Sequence, residues 1–227
     1  MSKRSRDIIL GRLKNALPQR AYKAQAPNGA LEPRWIEPAT SWESLFNKLA
    51  SLSAVVGIAR AKGEVQRFLE QLTKKNQVKK AILTSDPLLE RADIAHLLQG
   101  MGVMVQKIPS TGPGHVEACS KADLGVTAAD AIVDESGSLI LRAAQGSERA
   151  PSLLPPVHMA VIDSKNRVAR VRDLVGVLRK WGVESPERIL PSAVYLITGP
   201  SRTADIEFTL ILGAHGPKAL YVLILDY

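Results

Sequence analysis

Short apolar segments alternate with amphipathic helical segments along most of the chain after Thr40. The apolar segments are residues 54–59, 80–84, 103–108 and 157–162, and the helical segments include 62–74 and 87–99. Strands that are apolar throughout are typical of parallel sheets, because helices cover both faces of such sheets. The alternation therefore predicts an α/β fold, a three-layer α/β/α sandwich with a mostly parallel sheet.

Several local patterns add detail to this prediction. Thr40-Ser41-Trp42-Glu43 matches a capping box, which predicts the start of a helix. Residues 131–133 and 138–142 flank Asp-Glu-Ser-Gly, which predicts an inserted β-hairpin. Residues 168–181 are predicted to be a helix and residues 193–198 a strand that leads into a Gly-Pro loop. Residues 220–225 are predicted to be the strand that closes the sheet.

The first 38 residues differ from the rest of the chain. An apolar stripe at helical spacing precedes Pro18 and consists of Ile9, Leu10, Leu13 and Leu17. A Pro-rich loop follows it. We therefore predict two parts, a basic N-terminal helix with its loop over residues 1–38 and an α/β domain over residues 39–227.

The N-terminal part also carries most of the net charge of +8, since residues 1–34 hold eight Lys or Arg and two Asp or Glu. A solvated helix face is the commonest reason for such a run, and docking on an acidic partner is the next interpretation. Binding to nucleic acid or to a membrane surface is less favoured. Aromatic residues make up only 4% of the chain and do not alternate with basic residues.

Composition excludes several classes of function. The single cysteine, Cys119, excludes an internal disulfide, a cysteine zinc cage and a self-contained iron–sulfur cluster. No Gly-x-Gly-x-x-Gly, P-loop or Gly-x-Ser-x-Gly motif is present. We predict no metal and no cofactor. The chain shows neither a signal peptide nor a membrane-spanning apolar segment, so we expect a cytoplasmic protein.

Residues 198–207 form the most informative candidate site. A predicted strand leads into Gly199, which permits a sharp turn. Ser201, Arg202 and Thr203 would then begin a helix, whose free N–H groups and positive dipole end bind anions. The planar Arg202 guanidinium suits a carboxylate or a phosphate. An anion site is one interpretation of this loop.

A structural turn is the other interpretation of the same loop. Asp205 and Glu207 follow Arg202 closely and would pair with it or cap the helix. The residues alone leave both interpretations open.

Three further side chains are candidates for acid–base chemistry. His215 precedes Gly216 in Gly-Ala-His-Gly-Pro, where glycine allows close backbone approach and histidine is an acid, a base or a donor. Asp134 and Glu135 form a carboxyl pair in the predicted hairpin turn. Turn chemistry is the structural alternative for all three. Ligands of open α/β sheets bind beyond the carboxyl ends of the strands, where we expect these segments to converge.

Five segments together resemble the lactate-utilisation protein C family, whose defining unit is the LUD domain. They are residues 125–130, 134–138, 153–158, 197–207 and 212–217. The longest reads Ile-Thr-Gly-Pro-Ser-Arg-Thr-Ala-Asp-Ile-Glu and is the most specific. The resemblance extends from about Thr40 to the C-terminus and adds Asp130 to the matching positions.

The resemblance implies a fold similar to that of the sugar-phosphate isomerase and CoA-transferase superfamily. It also implies a part in the oxidation of L-lactate to pyruvate with two partners, an iron–sulfur protein and a protein with cysteine-rich repeats. A single cysteine fits a non-redox subunit, and the loop around Arg202 would then bind a small carboxylate.

The alternative is a free-standing enzyme or binding protein for a phosphorylated or carboxylated small molecule. CoA transferases use a glutamate nucleophile, but their glycine-rich CoA signature is missing here. That role is therefore not carried over to Glu135 or Glu207.

Overall fold

The computed structural model describes residues 7–8, 11–12, 41–108, 114–143, 149–182, 191–204 and 210–227. The chain divides into two compact units, Met1–Glu32 and Pro33–Tyr227. The described residues of the first unit are helical, and the Ile8 side chain is about half exposed. Ile9, Leu10, Leu13, Leu17 and the Pro-rich loop lie outside the described residues. The division at residue 38 stays a prediction.

Within the described part of the second unit, six strands form one sheet in which every pairing is parallel. They are β1 (Ala54–Ala59), β2 (Lys80–Leu83), β3 (Met104–Lys107), β4 (Leu124–Ala128), β7 (Val157–Asp163) and β12 (Ala219–Leu225). Their order across the sheet is β1-β12-β7-β4-β2-β3. The predicted α/β class with a mostly parallel sheet is therefore confirmed. The last strand of the chain lies inside the sheet, between β1 and β7.

Three helices cover one face of this sheet. They are α2 (Lys62–Asn76), α3 (Pro87–Arg91) and α4 (Ile94–Gly100). Leu69, Leu89 and Leu98 project from them into a core that contains Leu124 and Leu223 of the sheet. The helix predicted over residues 87–99 is thus two helices. They are separated at Asp93, whose backbone adopts a left-handed conformation with a φ of 55°.

The opposite face is shared between helices and a second sheet. The helices are α1 (Trp42–Ser51), α5 (His115–Ser120) and α6 (Ala150–Leu153). The second sheet has the order β8-β5-β6-β9 and consists of β5 (Ala131–Val133), β6 (Ser138–Ala143), β8 (Arg167–Val168) and β9 (Ala193–Ile197). Leu139 and Leu141 of this sheet pack in one core with Val222 and Ile224 of the parallel sheet.

The predicted hairpin is present as β5 and β6, but it forms the centre of the second sheet and is not an isolated insertion. Its outer face is covered by α7 (Leu174–Gly182), whose Leu174 and Val177 pack against Val133 and Ile140. A 3₁₀ turn (Val171–Asp173) precedes α7, so the predicted helix over residues 168–181 begins later than expected. No helix in the described ranges is both long and apolar enough to cross a bilayer.

The start of α1 differs from the predicted capping box by one residue. Ser41 is the N-cap, and its side chain accepts a hydrogen bond from the backbone N–H of Ser44 at 3.1 Å. The side-chain cap of α1 is therefore the hydroxyl of Ser41.

Gly125 lets α6 approach the parallel sheet directly. A Cβ atom at Gly125 would lie 1.8 Å from the carbonyl oxygen of Pro151 in α6. Only glycine fits between the strand and this backbone, because the obstacle is a carbonyl and not a flexible side chain.

We expect Gly125→Ala to lower the free energy of unfolding by at least about 2 kcal/mol, since overpacking a core typically costs about 1–3 kcal/mol. Gly63→Ala is the matched control, because a Cβ at Gly63 meets nothing within 4 Å. Urea unfolding of both variants measures the difference. Equal free energies of unfolding for the two variants would show that α6 does not pack directly against β4 in solution.

Candidate functional site

A cleft of about 260 Å³ opens at the amino ends of β7 and β12. His158 of β7 and Leu220 of β12 face each other in the strand register and line it from the parallel sheet. Leu196 and Ile197, at the carboxyl end of β9, line it from the second sheet. The cleft therefore lies where the two sheets leave their shared core.

The predicted loops around Gly199 and His215 meet at this cleft, whereas the hairpin turn with Asp134 and Glu135 does not line it. Ser152 and Leu153 come from the segment that precedes β7, and further lining residues come from the loops at 198–201 and 215–217. The expectation that they would meet at the carboxyl ends of the parallel strands is wrong. The reason is that β9 belongs to the second sheet, so its carboxyl end lies over the amino ends of β7 and β12.

Backbone contacts fix the two loops to each other. The Ser201 N–H donates to the carbonyl of Pro217 at 2.8 Å, and the Gly213 N–H donates to the carbonyl of Ser201 at 3.0 Å. The Ser201 hydroxyl also accepts from the His215 N–H at 3.4 Å. Gly199 has a φ of 115°, which favours glycine. Ser201, His215 and Gly216 are thus held at the cleft by a rigid turn.

Arg202 does not begin a helix, contrary to the prediction. It begins β10 (Arg202–Ala204), which also contains Thr203 and pairs in antiparallel fashion with β11 (Leu210–Leu212). Because the segment is extended, no helix dipole is available here for an anion. Asp205 and Glu207 lie outside the described residues.

The Arg202 guanidinium contacts the turn between α1 and β1. Its Nη2 donates to the carbonyl of Leu52 at 2.8 Å and to the hydroxyl of Ser53 at 2.6 Å. Arg202 is exposed and is not among the residues that line the cleft, although its neighbour Ser201 is. Anion binding by Arg202 therefore stays a prediction.

The carboxyl pair of the hairpin turn lies away from the cleft. Asp134 is buried and accepts two hydrogen bonds of 2.9 Å from the Arg167 guanidinium, which is also buried. The same guanidinium lies 4.2 Å from the Trp42 ring centroid, in cation–π geometry. Glu135 is exposed and accepts from the Val171 N–H at 3.0 Å. Both carboxylates have structural partners, and neither lines the cleft.

We expect Asp134→Ala to destabilise the protein by about 3–5 kcal/mol, because breaking one partner of a buried ion pair leaves the other charge uncompensated. Glu135→Ala removes one exposed hydrogen bond and should cost about 1 kcal/mol or less. Chemical denaturation of the two variants measures the difference between their free energies of unfolding. A fully stable Asp134→Ala protein would contradict the structural role of this pair.

His158 is the functional candidate that sequence reasoning did not single out. It is 1% exposed, and its Nε2 lies 2.9 Å from the hydroxyl of Thr127, which is also buried. Burial lowers the pKa of His158 to about 3, so the ring is neutral at physiological pH. A lone imidazole within the apolar strand Val-His-Met-Ala-Val-Ile was the available signal.

The neutral state of His158 makes stability depend on pH. Its pKa is 6.5 when exposed and about 3 when folded, so the unfolded chain binds an extra proton between these values. The stabilisation is complete above pH 6.5 and is lost as the pH falls toward 3. Urea unfolding between pH 7 and pH 5 should show an additional slope approaching about 1.4 kcal/mol per pH unit. His158→Asn should lack this slope, and the exposed His96→Gln control should keep it. Equal slopes in all three proteins would contradict a buried neutral His158.

The lone cysteine takes no part in the cleft. Cys119 is buried beside Ile82 and Ile108, and burial raises the pKa of its thiol to about 11. A thiol in this environment is not a nucleophile, because the thiolate is the reactive form.

The structure defines a two-sheet α/β domain with a small cleft at the junction of its sheets. The LUD domain family model matches residues 43–225. The chain belongs to the LUD domain family.

Individual relatives agree with this assignment. The chain is 34% identical to lactate utilization protein C of Halalkalibacterium halodurans over 74% of its length and 71% of that protein. It is 26% identical to lactate utilization protein C of a Geobacillus species over 98% of its length and 96% of that protein. A DUF162 family protein from Deinococcus radiodurans has the same fold, with a TM-score of 0.55, 19% identity and coverage of 81% of this chain and 95% of that one.

Proposed function

We propose that this protein is a non-redox subunit of an L-lactate-oxidising system and binds a small carboxylate at the cleft beside the Gly-Pro-Ser-Arg loop. The observation that carries the proposal is the similarity to proteins named lactate utilization protein C, over nearly the whole chain in the Geobacillus relative. The cleft beside this loop also supports the proposal, because its size and its lining suit a small ligand.

The chemistry of the cleft favours a small ligand with few charges. None of the described residues that line it is Lys, Arg, Asp or Glu. Its residues with polar side chains are Ser152, Thr198, Ser201, His158 and His215, and the Ser152 hydroxyl already donates to the carbonyl of Arg149. A volume of about 260 Å³ lies just below the range of about 300–1,000 Å³ that is typical of pockets for drug-sized ligands. A short carboxylate fits these neutral donors better than a phosphate dianion, which favours arginine or lysine.

The electrons released by lactate oxidation need an acceptor, which favours the participation of partner proteins. Oxidation of L-lactate to pyruvate releases two electrons and two protons, which an acceptor must take up. The single cysteine of this chain is buried and cannot form a cysteine-ligated iron–sulfur cluster. We therefore propose that the electrons pass to clusters on an iron–sulfur protein and on a cysteine-rich protein of the same system, in the cytoplasm.

Add-back to an extract tests this function. The extract comes from a strain that lacks the gene, and L-lactate-dependent dye reduction is measured with and without the purified protein. We expect the protein to restore the rate. Arg202→Ala then tests whether this guanidinium, which holds the α1–β1 turn and does not line the cleft, is also needed for ligand binding, since loss of a hydrogen bond to a charged group would leave about a tenth of the rate or less.

Ser53→Ala is the matched control in this assay. It removes one of the two acceptors that hold Arg202, without removing the guanidinium. If Ser53→Ala and Arg202→Ala lose equal activity, Arg202 acts by holding the α1–β1 turn and does not bind the ligand. If the rate never depends on the protein, the proposed function is wrong.

A further inference from the structure

The hydrogen bond between Thr127 and His158 determines which ring nitrogen of His158 carries the proton. Within the described residues, this contact of 2.9 Å is the only hydrogen bond of either side chain. Thr127 is 2% exposed. A buried hydroxyl that donates to nothing costs about 1–3 kcal/mol, whereas donation to the imidazole satisfies both groups. The favoured arrangement therefore has Thr127 donating to Nε2, which places the ring proton on Nδ1.

A proton on Nδ1 leaves His158 with one donor that makes no hydrogen bond to the described residues. His158 is the second residue of β7, lines the cleft and pairs with Leu220 in the strand register. It lies opposite Gly125, where α6 approaches and contributes Ser152 to the same cleft. A donor at a cleft that makes no hydrogen bond to the described residues is satisfied by a ligand or by water.

We propose that His158 is a ligand-binding residue whose neutral Nδ1–H donates to an oxygen of a small carboxylate in this cleft, and that Thr127 is its positioning residue. This inference rests on the proposed function and adds the group that recognises the ligand. The imidazole acts as a neutral donor, so it binds an acceptor oxygen without becoming a cation. Leu220 and Leu196 give the cleft apolar walls, which favour a carboxylate with a short aliphatic substituent.

Imidazole ¹⁵N NMR of the full chain tests the tautomer without any assay of activity. In the ligand-free protein we expect His158 to show a protonated Nδ1 and an unprotonated Nε2. Thr127→Val should change this pattern, because the hydroxyl that selects the tautomer is gone. A protonated Nε2 in the wild-type protein overturns the proposal, and this reading needs no variant to fold.

Titration of the same sample identifies the ligand class. The probes are L-lactate, pyruvate and inorganic phosphate. We expect a carboxylate to shift the His158 signals and phosphate to leave them unchanged. His158→Leu should weaken carboxylate binding by about tenfold or more, as expected for loss of a hydrogen bond to a charged group. His158→Asn keeps an N–H near the position of Nδ1 and should retain most of the affinity, and His96→Gln should retain all of it.

Each outcome separates this inference from the proposed function. If no probe perturbs His158, or only phosphate does, the inference is wrong even where add-back restores lactate oxidation. If a carboxylate binds at His158 but the extract does not depend on the protein, the inference stands and the proposed function fails. Equal binding by His158→Leu and His158→Asn would show that Nδ1–H does not contact the ligand.

Discussion

Apolar contact between the two sheets is the interaction on which the rest of the domain depends. One face of the parallel sheet presents Ala160, Val222 and Ile224, and the second sheet covers them with Leu139 and Leu141. All of these side chains are buried, and burial of apolar area is the dominant favourable term in folding. Because the sheets pack at this core, the carboxyl end of β9 lies above the amino ends of β7 and β12. The cleft is a consequence of this packing.

Buried polar groups near this interface occur in matched pairs. Asp134 and Arg167 cancel each other's charge at the edge of the second sheet, and Thr127 and His158 exchange a hydrogen bond beneath the cleft. The first pair holds two charges, so each partner needs the other. The pair of Thr127 and His158 is neutral. With the ring proton on Nδ1, as proposed, this N–H donor is available to a ligand. The difference explains why Asp134 is structural although it looked catalytic, and why His158 is suited to bind a ligand.

The sequence predicts the parallel sheet well, because apolar strands and amphipathic helices are local patterns. Residues 54–59, 80–84 and 157–162 are strands close to the predicted bounds. The membership of β9 was not predictable, since Ala-Val-Tyr-Leu-Ile is as apolar as a strand of the parallel sheet. β9 pairs with β6 through long-range packing, and no local sequence pattern indicates this pairing.

The loops of the candidate site could also be predicted from local patterns, whereas their long-range partners could not. The sequence singled out two loops, one with Gly199 and Ser201 and one with His215 and Gly216. Both loops line the cleft. The predicted helix at Arg202 failed because residues 202–204 find an antiparallel partner at 210–212, which a local pattern does not show. His158 ends one of the segments that carry the family resemblance, but it was not a predicted site residue. An imidazole within a strand is ordinarily a core residue, and the sequence does not show that Thr127 of the neighbouring strand is its hydrogen-bond partner.

A site of this kind is suited to recognition more than to electron transfer. Its described lining consists of neutral donors and aliphatic walls, and the one thiol of the chain is buried elsewhere beside α5. A neutral histidine holds an oxygen acceptor without competing with it for a proton, since the pKa of His158 is lowered to about 3 by burial. We therefore propose that this domain binds and orients a small carboxylate and that partner proteins move the electrons.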